Sequence, residues 1–190
     1  MKKIIYTLSF LFFINSCGII TINGSFQGLY SYYKNTKTKC PNLFVQYNDS
    51  IINYSLNNNS NSKIVLITGI ELNKCLSQYN NSIVYIWSPN CRSKFCPSLE
   101  MLQRKCNDKQ IELYIVAETF DVKMIQQKHK ITRMLFGINT EYYKTNLTTL
   151  YLPKFIKELQ KANKKDDTYN RLFYFKNGQF IKSVFVIEDL

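Results

Sequence analysis

Cys91 and Cys96, with four residues between them, are the side chains of this sequence best placed to do chemistry. They follow the apolar, β-forming run at 83–87 and precede a helical pattern that opens at Pro97, so both belong to a strand-to-helix junction. Pro97 suits the first turn of a helix, and this predicts Cys96 as the N-cap. A sulfur there faces unpaired amides and the positive helix end, with Arg92 and Lys94 nearby in sequence, all favouring the nucleophilic thiolate. On a continuous helix the two Cα atoms would stand about 8 Å apart, beyond the reach of a disulfide. A Cys91–Cys96 bridge therefore requires a turn over 91–95 or an unwound first helical turn, and the Pro97 argument supports the turn. Two readings stand side by side: a redox pair, or a structural staple.

Trp87, four residues before Cys91 and at the end of a hydrophobic strand, resembles the active-site edge of the thioredoxin superfamily. The stretch Ser-Pro-Asn-Cys-Arg-Ser-Lys-Phe-Cys at 88–96 is similar to the Thr-Pro-Gly-Cys-x4-Cys stretch of the Q-type (bacterioferritin-comigratory) peroxiredoxins. The resemblance implies that Cys91 attacks, Cys96 resolves, and Ser88 is the hydroxyl three residues before the nucleophile. Val84 stands where that family has proline; shifting the register so that Cys96 attacks puts Pro89 and Ser93 at the two spacings. Which sulfur attacks is left open. Phe-Lys-Asn-Gly at 175–178 is similar to the turn joining the last two strands of thioredoxins, whereas the proline that thioredoxins carry just before that hairpin is missing after Pro153. Arg171 lies where peroxiredoxins place an arginine that holds the thiolate and a peroxide oxygen, and reads equally as a surface arginine. Over roughly 64–188 the resemblance implies an α/β thioredoxin-like fold, with a central mixed sheet flanked by helices and a C-terminal β-hairpin. It implies no metal or organic cofactor. His129, the one histidine, sits in a polar run at 126–130 that reads as a solvated face rather than a zinc site.

The chain begins with Lys2 and Lys3, followed by an apolar run at 4–14 that is too short to span a bilayer and reads as a secretory signal. Ile-Asn-Ser-Cys at 14–17 resembles the bacterial lipobox, lacking its usual leucine, and implies cleavage before Cys17 with lipidation of that sulfur. The expected organisation is a signal peptide at 1–16, a lipidated tether at 17–42 and a thioredoxin-like domain at 43–190. The expected location is the bacterial cell envelope, anchored by lipid and facing the extracytoplasmic space. Disulfides persist there, and the five cysteines other than Cys17 leave at least one unpaired. Net charge is +12 over the whole chain, with lysines scattered through 34–39, 123–130 and 154–165 and no nucleic-acid motif. Attraction to an anionic membrane surface is the economical reading, and no nucleic-acid partner is expected.

Residues 18–42 have a tether's composition, with Cys40 exposed. Residues 43–55 predict a hairpin or two short strands, and 64–68 a further strand. Residues 69–79 predict a helix with Leu72, Cys75, Leu76 and Tyr79 at inward spacing, Cys75 being a core thiol, and 97–107 a helix burying Leu99, Leu102 and Cys106. The strand at 111–117 completes a strand–helix–strand unit with parallel pairing, whose ligand edge lies at the carboxyl ends of its strands. Glu118, Thr119 and Asp121 share that edge with the cysteines and read as a solvated loop. Helix is predicted over 122–135, a break over 137–140, and a basic amphipathic helix from Pro153. The strands at 171–175 and 180–187, joined by Lys176-Asn177-Gly178, predict a hairpin. These features point to a membrane-anchored thiol–disulfide oxidoreductase or peroxiredoxin-like reductase, partnered by an envelope reductant or a disulfide-bearing protein. The competing expectation is a non-catalytic thioredoxin-fold lipoprotein that binds a partner and uses the disulfide as a staple.

Overall fold

Strands with apolar side chains on both faces need cover on both, and that requirement sets the architecture. The computed structural model describes residues 28–48, 63–91, 96–161 and 170–184. In chain order these form α1 (Tyr33–Lys39), β1 (Phe44–Gln46), β2 (Ile64–Ile67), α2 (Gly69–Leu76), β3 (Asn81–Trp87), α3 (Leu99–Asp108), β4 (Glu112–Ala117), α4 (Val122–Gln127), β5 (Leu135–Ile138), α5 (Thr148–Gln160), β6 (Leu172–Lys176) and β7 (Gln179–Val184). The sheet order is β1-β2-β5-β4-β3-β6-β7. The first five strands in that order run parallel, while β6 and β7 are antiparallel. The fold is thus α/β, a seven-stranded mixed sheet between helices, ending in a hairpin.

Alternation along the strands divides the core. Ile83, Tyr85, Leu113, Ile115 and Ala117 pack with Tyr33 of α1, Leu99, Leu102 and Cys106 of α3, and Met124 of α4. Val84, Ile86, Tyr114, Val116, Phe173 and Phe175 pack on the other face with Leu72, Cys75 and Leu76 of α2 and Tyr151, Phe155, Ile156 and Leu159 of α5. The helical residues recur at three- and four-residue spacing, and each large apolar side chain contributes roughly 1.5–3 kcal/mol on burial.

The helices start where side-chain oxygens accept orphan amides. Thr68 and Glu71 form a reciprocal capping box at α2, and Asp121 caps α4 by accepting from the Met124 N–H at 2.9 Å. Asn177 and Gly178, both at positive φ, make the hairpin turn.

Several expectations are corrected. Part of the expected tether is packed: α1 at 33–39 buries Tyr33 and Thr36, and the Tyr33, Phe44 and Phe120 rings meet edge-on with centroids 5.0–5.6 Å apart. In the 43–55 region one short strand is described, β1, which pairs in parallel with β2; residues 49–55, the rest of the expected hairpin or pair of strands, lie outside the described residues. The helix expected over 122–135 ends at Gln127, a 3₁₀ turn follows, and 135–138 form the buried strand β5 between β2 and β4. Gly137, expected in a break, is a strand residue paired on both sides, and the position suits glycine because a side chain there would strike the Phe120 ring. α5 begins at Thr148, placing Pro153 inside it rather than at its start.

Candidate functional site at the carboxyl edge of the sheet

β3 ends at Trp87, and the chain then turns through Ser88–Cys91, closed by the Cys91 N–H donating to the Ser88 carbonyl at 3.1 Å. Pro89 occupies the second position of this turn, where its fixed φ is pre-set, and it is buried. Cys91 is joined to Cys96 in a disulfide with Cα atoms 6.2 Å apart. Both sulfur-bearing residues are half-buried. Of the turn expected over 91–95, residues 92–95 lie outside the described residues.

The N-cap expectation for Cys96 is corrected. α3 starts at Leu99 and its cap is Ser98, whose hydroxyl accepts from the Met101 N–H at 3.1 Å. A serine oxygen accepts amide hydrogen bonds far better than a sulfur, so the cap falls two residues later and Pro97 precedes it. The thiolate-favouring N-cap contact expected for Cys96 is accordingly made by Ser98.

The turn before Cys91 is held from the neighbouring strand's loop. Asn90 donates through its side-chain amide to the Asp121 carboxylate, and the Gln127 side-chain amide donates to the Pro89 carbonyl at 3.4 Å. Asp121 thus caps α4 with one oxygen and grips Asn90 with the other. Sequence reasoning put Asp121 at this edge; Asn90 and Gln127 were missed. The Ser-Pro-Asn turn signal pointed to Asn90, while nothing local pointed to Gln127, 36 residues from Cys91 in sequence.

Glu118 and Thr119, expected on a solvated loop, are buried. The Glu118 N–H donates to the Trp87 carbonyl at 3.0 Å, continuing the β3–β4 ladder, and its carboxylate is paired with the Arg171 guanidinium. Arg171 also accepts the Ile86 N–H on its carbonyl at 2.9 Å, which fixes it at the start of β6. Its side chain is 28% exposed against 4% for Glu118, so the charge pair lies at the border of the core. The Tyr151 hydroxyl donates to the Glu118 carbonyl, and the Tyr85 hydroxyl nearby is pushed up to about 12 by burial, the Arg171 charge opposing that rise.

Ser88 is half-buried at the foot of the Cys91 turn, where its backbone carbonyl holds Cys91. Beside the turn lies a cleft of about 420 Å³ lined by Tyr32, Thr36, Lys39, Cys40, Asn90, Asp121, Lys123 and Ile125, among others. Cys40 is exposed there, as expected. Cys75 and Cys106 are buried, also as expected; the Cys75 thiol donates to the Glu71 carbonyl at 3.3 Å, and burial pushes the Cys106 thiol up to about 11.

The signal peptide at 1–16 and Cys17 lie outside the described residues. Among the described residues no helix is long and apolar enough to cross a membrane. Set against known proteins, the chain matches no family model, no curated protein and no solved structure.

Proposed function

We propose that the chain is a membrane-anchored thioredoxin-like protein whose Cys91–Cys96 disulfide exchanges with the thiols of a partner. A partner thiolate attacks one sulfur of the bridge and releases the other as a thiolate, giving a mixed disulfide. A second partner thiol then displaces the protein's sulfur, so that Cys91 and Cys96 leave as the reduced pair and the partner as a disulfide. Run in reverse, the same two steps reduce a partner disulfide.

One observation carries this reading: the bridge lies at the carboxyl edge of the parallel strands and joins two ends of one short loop, five residues apart. A staple earns its stability by closing long loops, and the chain-entropy relation gives this one only about 2 kcal/mol. Between exchange and peroxide reduction, the pairing of Arg171 with Glu118 favours exchange, because the guanidinium is already engaged by a buried carboxylate. The same pairing, with the four-residue spacing, is what supports the rival reading of a binding module with a structural bridge.

The test is stopped-flow exchange of the oxidised protein with dithiothreitol and with glutathione, beside the Cys91→Ser and Cys96→Ser variants. Exchange proceeds through a mixed disulfide that one variant traps; a bridge that stays oxidised until the protein unfolds supports the staple. A separate check addresses the anchor: labelled palmitate enters the protein, and Cys17→Ala abolishes the label. Continued labelling of Cys17→Ala would remove the anchor.

A further inference from the structure

Helix α1 lies across the loops that follow β4 and β5. Thr36 donates to the Phe120 carbonyl, Tyr33 donates to the Glu141 carboxylate at 3.3 Å, and the Ser31 N–H donates to the Asn146 carbonyl at 2.7 Å. Two clefts flank the helix on this edge. One runs beside the Cys91 turn, and the other, of about 740 Å³, is bounded by the 140–147 loop. With Tyr33 and Thr36 turned inward, the outer side of α1 presents Lys34 and Lys39 to solvent. Lys144 is exposed on the facing loop, and Lys123 lines the cleft next to Asn90.

The acidic groups of this edge are already engaged. Glu141 pairs with Lys37 at 3.1 Å, Asp121 accepts from Asn90 and Met124, and Glu118 is buried against Arg171. Among these cations stand two amphipathic aromatic side chains, Tyr30 at 39% and Tyr142 at 51% exposure. Lysines interleaved with exposed tyrosines are the composition that settles at an anionic headgroup layer, the ammonium groups at the phosphates and the rings at the boundary.

The first described residues also lie on this edge. Tyr30 bridges to Leu147, and the Leu29 carbonyl accepts the Thr148 N–H at 2.9 Å. Ten residues separate Cys17 from Gly28, which reach at most about 40 Å even when fully extended. A lipid on Cys17 therefore holds the edge carrying α1 nearer to the bilayer than the opposite edge.

We propose that the outer side of α1 and the 140–147 loop form the membrane-apposed surface, docking on anionic headgroups, so that the disulfide edge works at the lipid surface. The tether part of this inference rests on the proposed lipidation of Cys17; the charge and aromatic pattern does not. The partner is then one whose thiols or disulfide lie close to the bilayer.

Hydrogen exchange on the full-length lipidated protein, reconstituted in phosphatidylcholine vesicles with or without phosphatidylglycerol, tests this. With phosphatidylglycerol, amides of 33–39 and 140–147 exchange several-fold more slowly, and added salt removes the difference. The Lys34→Glu, Lys39→Glu, Lys144→Glu triple variant loses that protection. The Lys74→Glu, Lys109→Glu, Lys176→Glu variant, with the same change in net charge at the opposite edge, keeps it. Protection at the opposite edge, or no lipid-dependent protection while the protein stays on the vesicles, overturns this inference and leaves the anchor standing. The latter result is also the one a basic edge built for an acidic polypeptide would give. Protein that leaves both kinds of vesicle overturns the anchor and this inference together.

Discussion

Cysteine sulfur in the core and at the sheet edge meets two different environments, and the contrast between them separates packing from exposure. Cys75 and Cys106 lie on opposite faces of the sheet, each buried among apolar side chains of a helix and the strands beneath it. Burial withholds them from reagents and pushes the Cys106 thiol up to about 11, where it behaves as a small hydrophobe. Cys91 and Cys96 are half-buried on a turn at the end of β3, paired with each other and supported by Asn90, Asp121 and Gln127. Secondary structure alone does not decide the difference. Cys106 occupies the inward face of α3 and Cys96 precedes the same helix, three residues before its first residue.

Perturbing the two settings should give opposite signatures, and the largest effect is expected where the core meets the edge. Arg171→Ala leaves the Glu118 carboxylate buried without its partner and lowers stability by about 3 kcal/mol, the low end for a buried pair because the guanidinium is partly exposed. Urea denaturation measures this. Exchange of the Cys91–Cys96 bridge should change much less than stability does, and the reverse outcome would return Arg171 to a role at the sulfur.

Next in size is the core thiol. Cys106→Ser buries a hydroxyl in an apolar setting and costs about 2 kcal/mol, again without slowing exchange at the edge. The same thiol predicts a pH dependence. Its folded pKa is raised from 9.0 to about 11, so between those values the unfolded chain releases the proton while the folded chain retains it. Stability is intact below pH 9 and falls through that window by about 1.4 kcal/mol per pH unit. Chemical denaturation at pH 8 and pH 10.5 should show the fall, shallower in Cys106→Ala; an equal fall in both proteins contradicts the assignment.

The contrast also shows what was legible in the sequence. The apolar runs that became β2, β3 and β4, the Asn-Gly hairpin and the inward Cys75 and Cys106 were readable because each rests on local periodicity or a single turn. The pairing of Cys91 with Cys96 was legible only as a bridge that a turn would allow, and the Pro97 argument offered for that turn placed the helix cap two residues early. β5 was not, because Leu-Phe-Gly-Ile is a short apolar run after a helical pattern, and its identity depends on β2 and β4 on either side. The packing of α1 was hidden by a polar composition in which only Tyr33 and Thr36 turn inward. The Ser98 cap was missed by weighing Pro97 above the better acceptor that follows it.

Smaller effects sharpen the edge. Cys91→Ser removes a bridge across five residues and should lower stability by no more than about 2 kcal/mol while abolishing exchange, as calorimetry and a thiol-exchange assay would show. Asp121→Ala removes the α4 cap and the grip on Asn90, costs about 1 kcal/mol, and should slow exchange at the bridge through the loosened turn. An Asp121→Asn variant, which keeps an oxygen for the cap, separates the two effects: restored stability with exchange still slow assigns the rate effect to the grip on Asn90.

The reduction potential of the Cys91–Cys96 bridge, measured on the folded protein in glutathione or dithiothreitol redox buffers, tests the exchange role most directly. The exchange role predicts a value above about −300 mV, within reach of a partner dithiol; a value below that marks the bridge as a structural staple and contradicts it.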